Sequence, residues 1–439
     1  MNKPTLILSC PIDTYSGYGS RGRDIAKSLI ELDKYDIKIL PQRWGNTPWG
    51  FIEDHNEWKF LNNHIINQPQ HITKPDIWVQ LTIPNEFIPQ GKYNIGITAG
   101  IETTACPPEW INGCNRMDLV LGSSEHSIKV FKECKFQKTD KNTGQIVDTI
   151  ELSTKTEVLF EGLNLDIYKP IKSTLDLSGI KESFCYLFVG HWIQGDLGHD
   201  RKNIGLLIKS FCETFKNKSP QPALILKTSH GSVSQTDKER TLQKIKSIKS
   251  LVKGKLPNIY LLYGEFSDQE INELYNHSKV KAMVSLTKGE GFGRPLLEFT
   301  QSKKPIITTG WSGHTDFLKP GMSVLLPGVL GDIHSSVKND WFIEGAKWFD
   351  VNVNILSKTL KDTYKKYKSF LQGSKEQAKH SKENFSYEKM KEKLNSILIN
   401  NVPNFPTEVK LDIPEISLVS PKKIDSLKLN LPNIKIANT

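Results

Sequence analysis

The chain has 439 residues, too many for one ordinary core, so two α/β domains with additions are expected. A hydrophobic fraction of 37% with 24% charged residues excludes a disordered or membrane-embedded chain and describes a soluble globular one. The formal net charge of +10 favours polyanionic partners such as nucleic acid, anionic membrane or phosphorylated substrates, or else marks a solvated basic surface.

Taken in order, "TLILSC" reads as a buried strand and "GRDIAKSLIEL" as the helix after it. "YDIKIL", "DIWVQLTI", "YNIGITAG" and "NRMDLVLGSS" continue the strands, and "EHSIKVFKEC" is a helix capped by Ser124. Strands alternating with helices imply a parallel sheet. The rhythm breaks at 136–156, which reads as a polar hairpin insertion. It restarts with "FCYLFVGHW", "NIGLLIKSFCETF", "PALILKTS", "NIYLLYGE", "VKAMVSL", "KPIITTG" and "MSVLLP", a second doubly wound unit. From Trp341 to Ile399 the signals are helical. The division is therefore 1–170, 171–400 and an extended tail, 401–439. That tail carries two proline-containing pieces, "LDIPEISL" and "LNLPNIKI".

The six cysteines form no C-x-x-C pair and no zinc spacing, so they read as reduced, buried thiols. No apolar run reaches transmembrane length and the N-terminal one is too short for a signal peptide, so a cytoplasmic protein is expected.

"SGYGSRGRD" spaces Gly17, Gly19 and Gly22 as G-x-G-x-x-G. A dinucleotide loop wants its first glycine at the strand end and an acid at the end of the second strand. Here six residues intervene after Cys10, and the second strand ends at Gln42 and Arg43. An NADP-dependent oxidoreductase thus stays an alternative, beside glycines used for close packing. In the third reading, Gly17 and Gly19 face a phosphate or sugar across a cleft. Arg21 and Arg23 are candidates for steering anions there. The tryptophans of "RWGNTPWG" pack in a core or stack on a sugar or base, and His126 reads as a helix-surface residue.

"TKGEGFGRPLLEFTQSKKPIITTGWSGHTDFL" carries the chemistry. Glu290 and Glu298 flank a glycine-rich turn and the start of a helix near Pro295. Two carboxylates so placed can accept hydroxyl hydrogen bonds from a sugar and a ribose. The amides of Gly291, Phe292 and Gly293 suit an anion, and His314 is a further cleft candidate.

"GEGFGRPLLE" resembles the Glu-x7-Glu motif of retaining glycosyltransferases of the GT-B fold, family 4 (group 1). "KPIITTGWSGHTDFL", "VLFEGLNLDIYKP" and "RKNIGLLIKSF" resemble that family's following strand and turn, interdomain crossover and phosphate-binding segment. The resemblance implies two Rossmann-like α/β domains facing each other across a cleft. It implies that Glu298 binds the donor ribose and that Glu290 holds the transferred sugar. Lys202 with Arg201 would neutralise the diphosphate; the family's usual arginine after the strand glycine is His191 here. Glu102 falls near the family's histidine beside the reacting sugar. The nucleotide-diphosphate sugar is a co-substrate; no other cofactor and no metal are expected, since no Asp-x-Asp motif stands out. The acceptor is a glycan or, given the net charge, DNA. A noncatalytic nucleic-acid-binding protein fits the charge but leaves Glu290 and Glu298 unexplained.

Overall fold

The inner strands of the first parallel sheet are largely apolar and buried on both faces, as helical crossovers demand. Its strands are β1 (Thr5–Cys10), β2 (Asp36–Pro41), β3 (Ile77–Leu81), β4 (Tyr93–Thr98), β5 (Leu119–Gly122) and, after the hairpin of β6 (Lys135–Thr139) with β7 (Ile146–Glu151), β8 (Lys155–Val158). Their order is β2-β1-β3-β4-β5-β8. The computed structural model describes residues 3–66, 74–140, 142–195, 197–231, 233–337 and 339–405. The two proline-containing pieces of the tail lie outside these.

The second parallel sheet runs β11-β10-β9-β12-β13-β14. It comprises β9 (Cys185–Val189), β10 (Ala223–Lys227), β11 (Ile259–Leu262), β12 (Val280–Ser285), β13 (Ile306–Thr309) and β14 (Val324–Leu326). Alternation decides its two cores. Tyr186, Phe188, Leu224 and Leu226 face one layer, and Cys185, Leu187, Ala223 and Ile225 face the other. Strand order reverses between β1 and β3 in one sheet and between β9 and β12 in the other. Loops leaving the carboxyl ends of parallel strands diverge at such points and leave a crevice.

One expectation needs correction. The stretch from Trp341 is not helical at first: β16 (Lys347–Val351) pairs antiparallel with β15 (Gly328–Asp332), and helices begin at Val353. A five-residue strand whose partner lies well upstream shows little local periodicity. The final helix, Tyr387–Asn401, follows the second sheet in sequence and packs on the Gly17–Leu32 helix of the first half. There Lys391 meets Glu31 of the Gly17–Leu32 helix at 2.8 Å, Leu163 N donates to Phe385 O at 2.8 Å, and Tyr387 N donates to Leu163 O at 2.8 Å. Lys3–Asn404 thus form one unit. No described helix is long and apolar enough to cross a membrane, and all six cysteines are free and buried.

Candidate active site

Ser16 caps the Gly17–Leu32 helix by accepting from the Gly19 amide at 2.9 Å, so the G-x-G-x-x-G stretch is the helix start and not a loop. Its glycines serve different ends. A Cβ on Gly17 would meet nothing within 4 Å, and Gly17 lines a cavity of about 180 Å³. A Cβ on Gly19 would stand 2.4 Å from the Thr14 carbonyl oxygen, and one on Gly22 would stand 3.0 Å from Cys10 Sγ. Gly19 and Gly22 are therefore packing residues, and Gly17, at the helix start, is the glycine of the three that faces the cavity. Arg21 lines the same cavity, whereas Arg23 is turned into the protein. Both are buried: Arg21 donates to Phe160 O at 2.7 Å, and Arg23 to Ile12 O and Thr14 O at 2.8 and 3.0 Å.

The second half supplies the charge. Asn203, in the left-handed region at φ 56°, turns the chain into the Ile204–Phe215 helix, and Arg201 and Lys202 sit just before it. Across β12, the turn at 289–293 enters the short helix Arg294–Phe299 through Gly293 at φ 97°. The amide of Glu290 donates to Ser312 Oγ at 2.9 Å and its carbonyl accepts from Gly313 N at 3.0 Å. These bonds fix the turn.

Four expected residues then meet. Lys202 Nζ pairs with Glu290 Oε1. Arg201 Nη1 lies 3.5 Å from Glu290 Oε2, 3.2 Å from Glu102 Oε1, and donates to Gly289 O at 3.0 Å. Glu102 comes from the loop after β4, so the network joins the two halves. Burial by itself would raise the Glu290 carboxyl; Lys202 and Arg201 overcome it and hold it at about 2. Burial presses the Lys202 ammonium below its ordinary range although Glu290 opposes this. Because the Glu290 pKa is depressed, the stability this carboxylate contributes is fully present above its ordinary 4.5 and lost as pH falls toward 2. Glu290→Gln is expected to flatten that acid limb. Denaturant midpoints taken at about pH 6 and about pH 3 should fall less for the variant than for the wild type.

The 180 Å³ cavity is walled by Gly17, Tyr18 and Glu102 on one side and by Glu290, Gly291, Phe292 and Gly293 on the other. The Phe292 ring itself is buried against Phe317, so only its backbone remains for a ligand. Glu298 stands apart from the four. It is buried, with Oε1 3.0 Å from Arg294 Nε and Oε2 accepting from Tyr275 at 3.4 Å. Arg294 also reaches Asp24 of the first half at 2.7 Å. His314 is wholly buried and lines no cleft; its Nε2 donates to Thr309 O at 2.6 Å beneath the glycine turn. His126 is turned inward, edge-on to Trp311 at 4.7 Å, and burial pushes it down to about 4.

Other groups went unread in the sequence. Tyr18 accepts from the Ala99 amide at 3.0 Å and stacks on Trp44, whose ring is thus at the site and not in a core. A further cavity of about 330 Å³ is lined by Tyr15, Phe51 and His55 from the first half and by His191, Lys227 and Glu265 from the second. Its available signal was the set of loops following the parallel strands β10 and β11. Among the described residues no group of three or more His, Cys, Asp or Glu is placed to hold a metal ion.

Residues 197–337 match the family model described as glycosyl transferases group 1. Arg201, Lys202, Glu290, Glu298 and His314 all fall inside that segment. No curated protein matches the sequence. Among solved structures, Alr3699/HepE of Anabaena in complex with UDP and glucose has 15% identity and a TM-score of 0.59, over 90% of this chain and 100% of that one. Sucrose-phosphate synthase from Thermosynechococcus elongatus has 12% identity and a TM-score of 0.59, over 91% and 99%. A glycosyltransferase of Rickettsia africae has 14% identity and a TM-score of 0.60, over 92% and 100%. The fold is GT-B.

Proposed function

We propose that the protein is a glycosyltransferase that moves a sugar from a nucleotide-diphosphate donor to an acceptor hydroxyl with retention of configuration. The observation that carries this is the network Glu102–Arg201–Lys202–Glu290, whose carboxylates line a cavity of sugar size and whose cations directly precede the Ile204–Phe215 helix. In the reaction the bond from the anomeric carbon to the diphosphate oxygen breaks, and a bond to the acceptor oxygen forms. The hydroxyl proton leaves with the diphosphate. Lys202, Arg201 and the adjacent helix start neutralise the leaving group. Glu290 holds hydroxyls of the transferred sugar, and the two walls of the cavity keep the reacting atoms together. Glu298 reaches a ribose when Arg294 yields it. The larger cavity, with Lys227 at its edge, receives the base and its phosphates. The retaining outcome rests on the Glu290–Glu298 motif.

The test is release of nucleoside diphosphate from a panel of sugar nucleotides. UDP-glucose comes first because structural neighbours are UDP complexes, and Glu290→Ala is the control. Turnover that the variant loses is expected. No binding and no turnover of any sugar nucleotide would defeat the reading.

A further inference from the structure

We propose that a second cavity beside the charged network is the acceptor subsite and that it takes a neutral sugar ring. This rests on the glycosyltransferase reading. The cavity holds about 420 Å³ and shares Tyr18, Ala99 and Glu102 with the 180 Å³ donor-side cavity. A ligand here therefore meets the donor sugar across a common wall.

The lining chooses the chemistry. Trp44, half-buried, stacks on Tyr18 with centroids 4.0 Å apart and planes at 20°. Trp341 is 37% exposed and packs at 5.9 Å and 51° on the buried Trp110. Asn339 Oδ1 accepts from the Trp341 amide at 2.9 Å and holds that ring's backbone. Aromatic faces carry partial negative charge and attract the polarised C–H groups on the apolar face of a pyranose. Glu102 and Gln194, at the edge, can meet its hydroxyls.

Charge argues against a phosphate-rich acceptor. Among the described residues, the charged side chains lining this cavity are Glu102 and Arg201, and they are paired at 3.2 Å. A nucleic-acid backbone requires cations free to replace its counterions. The positive charge of the chain lies elsewhere. Trp341, Phe342 and Trp348 also follow residue 337, beyond the segment matched by the family model. They sit between β15 and β16 or on β16, and this excursion is fastened to the first half. Thr104 N donates to Lys347 O at 2.8 Å and Lys347 N to Thr104 Oγ1 at 2.9 Å. Acceptor choice is thus made in part by aromatic residues that follow the matched segment in sequence.

The test titrates the full chain, with nucleoside diphosphate bound, with methyl glycosides of glucose, galactose and mannose. Tryptophan fluorescence is the readout, and an oligothymidylate is the competing probe. Saturable quenching by a methyl glycoside is expected. Trp341→Ala should weaken it about tenfold and Trp341→Phe should restore most of it, at unchanged nucleotide affinity. Trp341 is exposed enough that the variant should fold, which its melting temperature will show. No saturable quenching by any glycoside, or equal affinity in Trp341→Ala, overturns the proposal. Oligothymidylate binding that Trp341→Ala weakens overturns it too and assigns the cavity to a nucleobase. Failure to bind UDP, GDP or ADP, measured without glycoside, defeats the enzyme reading and this one with it.

Discussion

Lys202→Ala is expected to lower sugar transfer by roughly 10²- to 10³-fold, the usual consequence of removing one preorganised charge from a developing anion. The ammonium lies on Glu290 Oε1 with only 14% of the side chain exposed, directly before the Ile204–Phe215 helix. It is the cation best placed to pass from a buried carboxylate to an arriving diphosphate. The same change leaves Glu290 with Arg201, at 3.5 Å, as its remaining cation. Breaking a buried pair by deleting one partner costs about 3–5 kcal/mol, so stability should fall as well. The two effects separate in the double variant Lys202→Ala/Glu290→Gln. Removing both charges should return much of the stability and none of the transfer. Denaturant unfolding and initial rates of nucleotide release, on the same preparations, check both arms. Transfer by Lys202→Ala within a few-fold of wild type would show that diphosphate neutralisation rests on Arg201 instead.

Gly289→Ala is expected to destabilise the protein by about 1–3 kcal/mol and to cost activity at the same time. Its Cβ would stand 2.0 Å from the Glu102 carbonyl oxygen and 2.9 Å from the carbonyl carbon. Those are backbone atoms and cannot swing aside. The loop that carries them is held by Ser127 Oγ donating to Ala99 O at 2.6 Å and by the Thr104–Lys347 bonds. Any shift falls on Arg201, which donates to Gly289 O and reaches Glu102. Gly17→Ala is the contrast. Nothing lies within 4 Å of the added methyl, so the fold should keep its stability while donor binding weakens, since that methyl enters the cavity. Unfolding midpoints and nucleotide-sugar titrations for the two variants distinguish a clash between halves from a crowded site.

Much of the fold was legible because its signals are local. Runs such as "TLILSC" and "CYLFV" announce buried strands, and Ser124 caps its helix through a bond spanning three residues. The glycine turn with Glu290 was legible for the same reason: positive φ at Gly293 and Pro295 in the first helical turn are properties of adjacent residues. The β15–β16 pair was not, because its strands are short and meet across a long excursion.

By itself the sequence determined the two α/β units, the carboxylate pair flanking a glycine turn, and the basic pair ahead of a helix. Only the tertiary structure decided how these are used. It brings Lys202 to Glu290 across 88 residues, sets Glu102 against Arg201, spends Gly19 and Gly22 on packing, and buries His314 beneath the turn. It also gathers Trp44, Trp110 and Trp341 into one cavity from three distant segments. The physical reason is that periodicity and capping act over a few residues. Ion pairs, clashes and cavities depend on where parallel strands return the chain, and a local pattern does not carry that register.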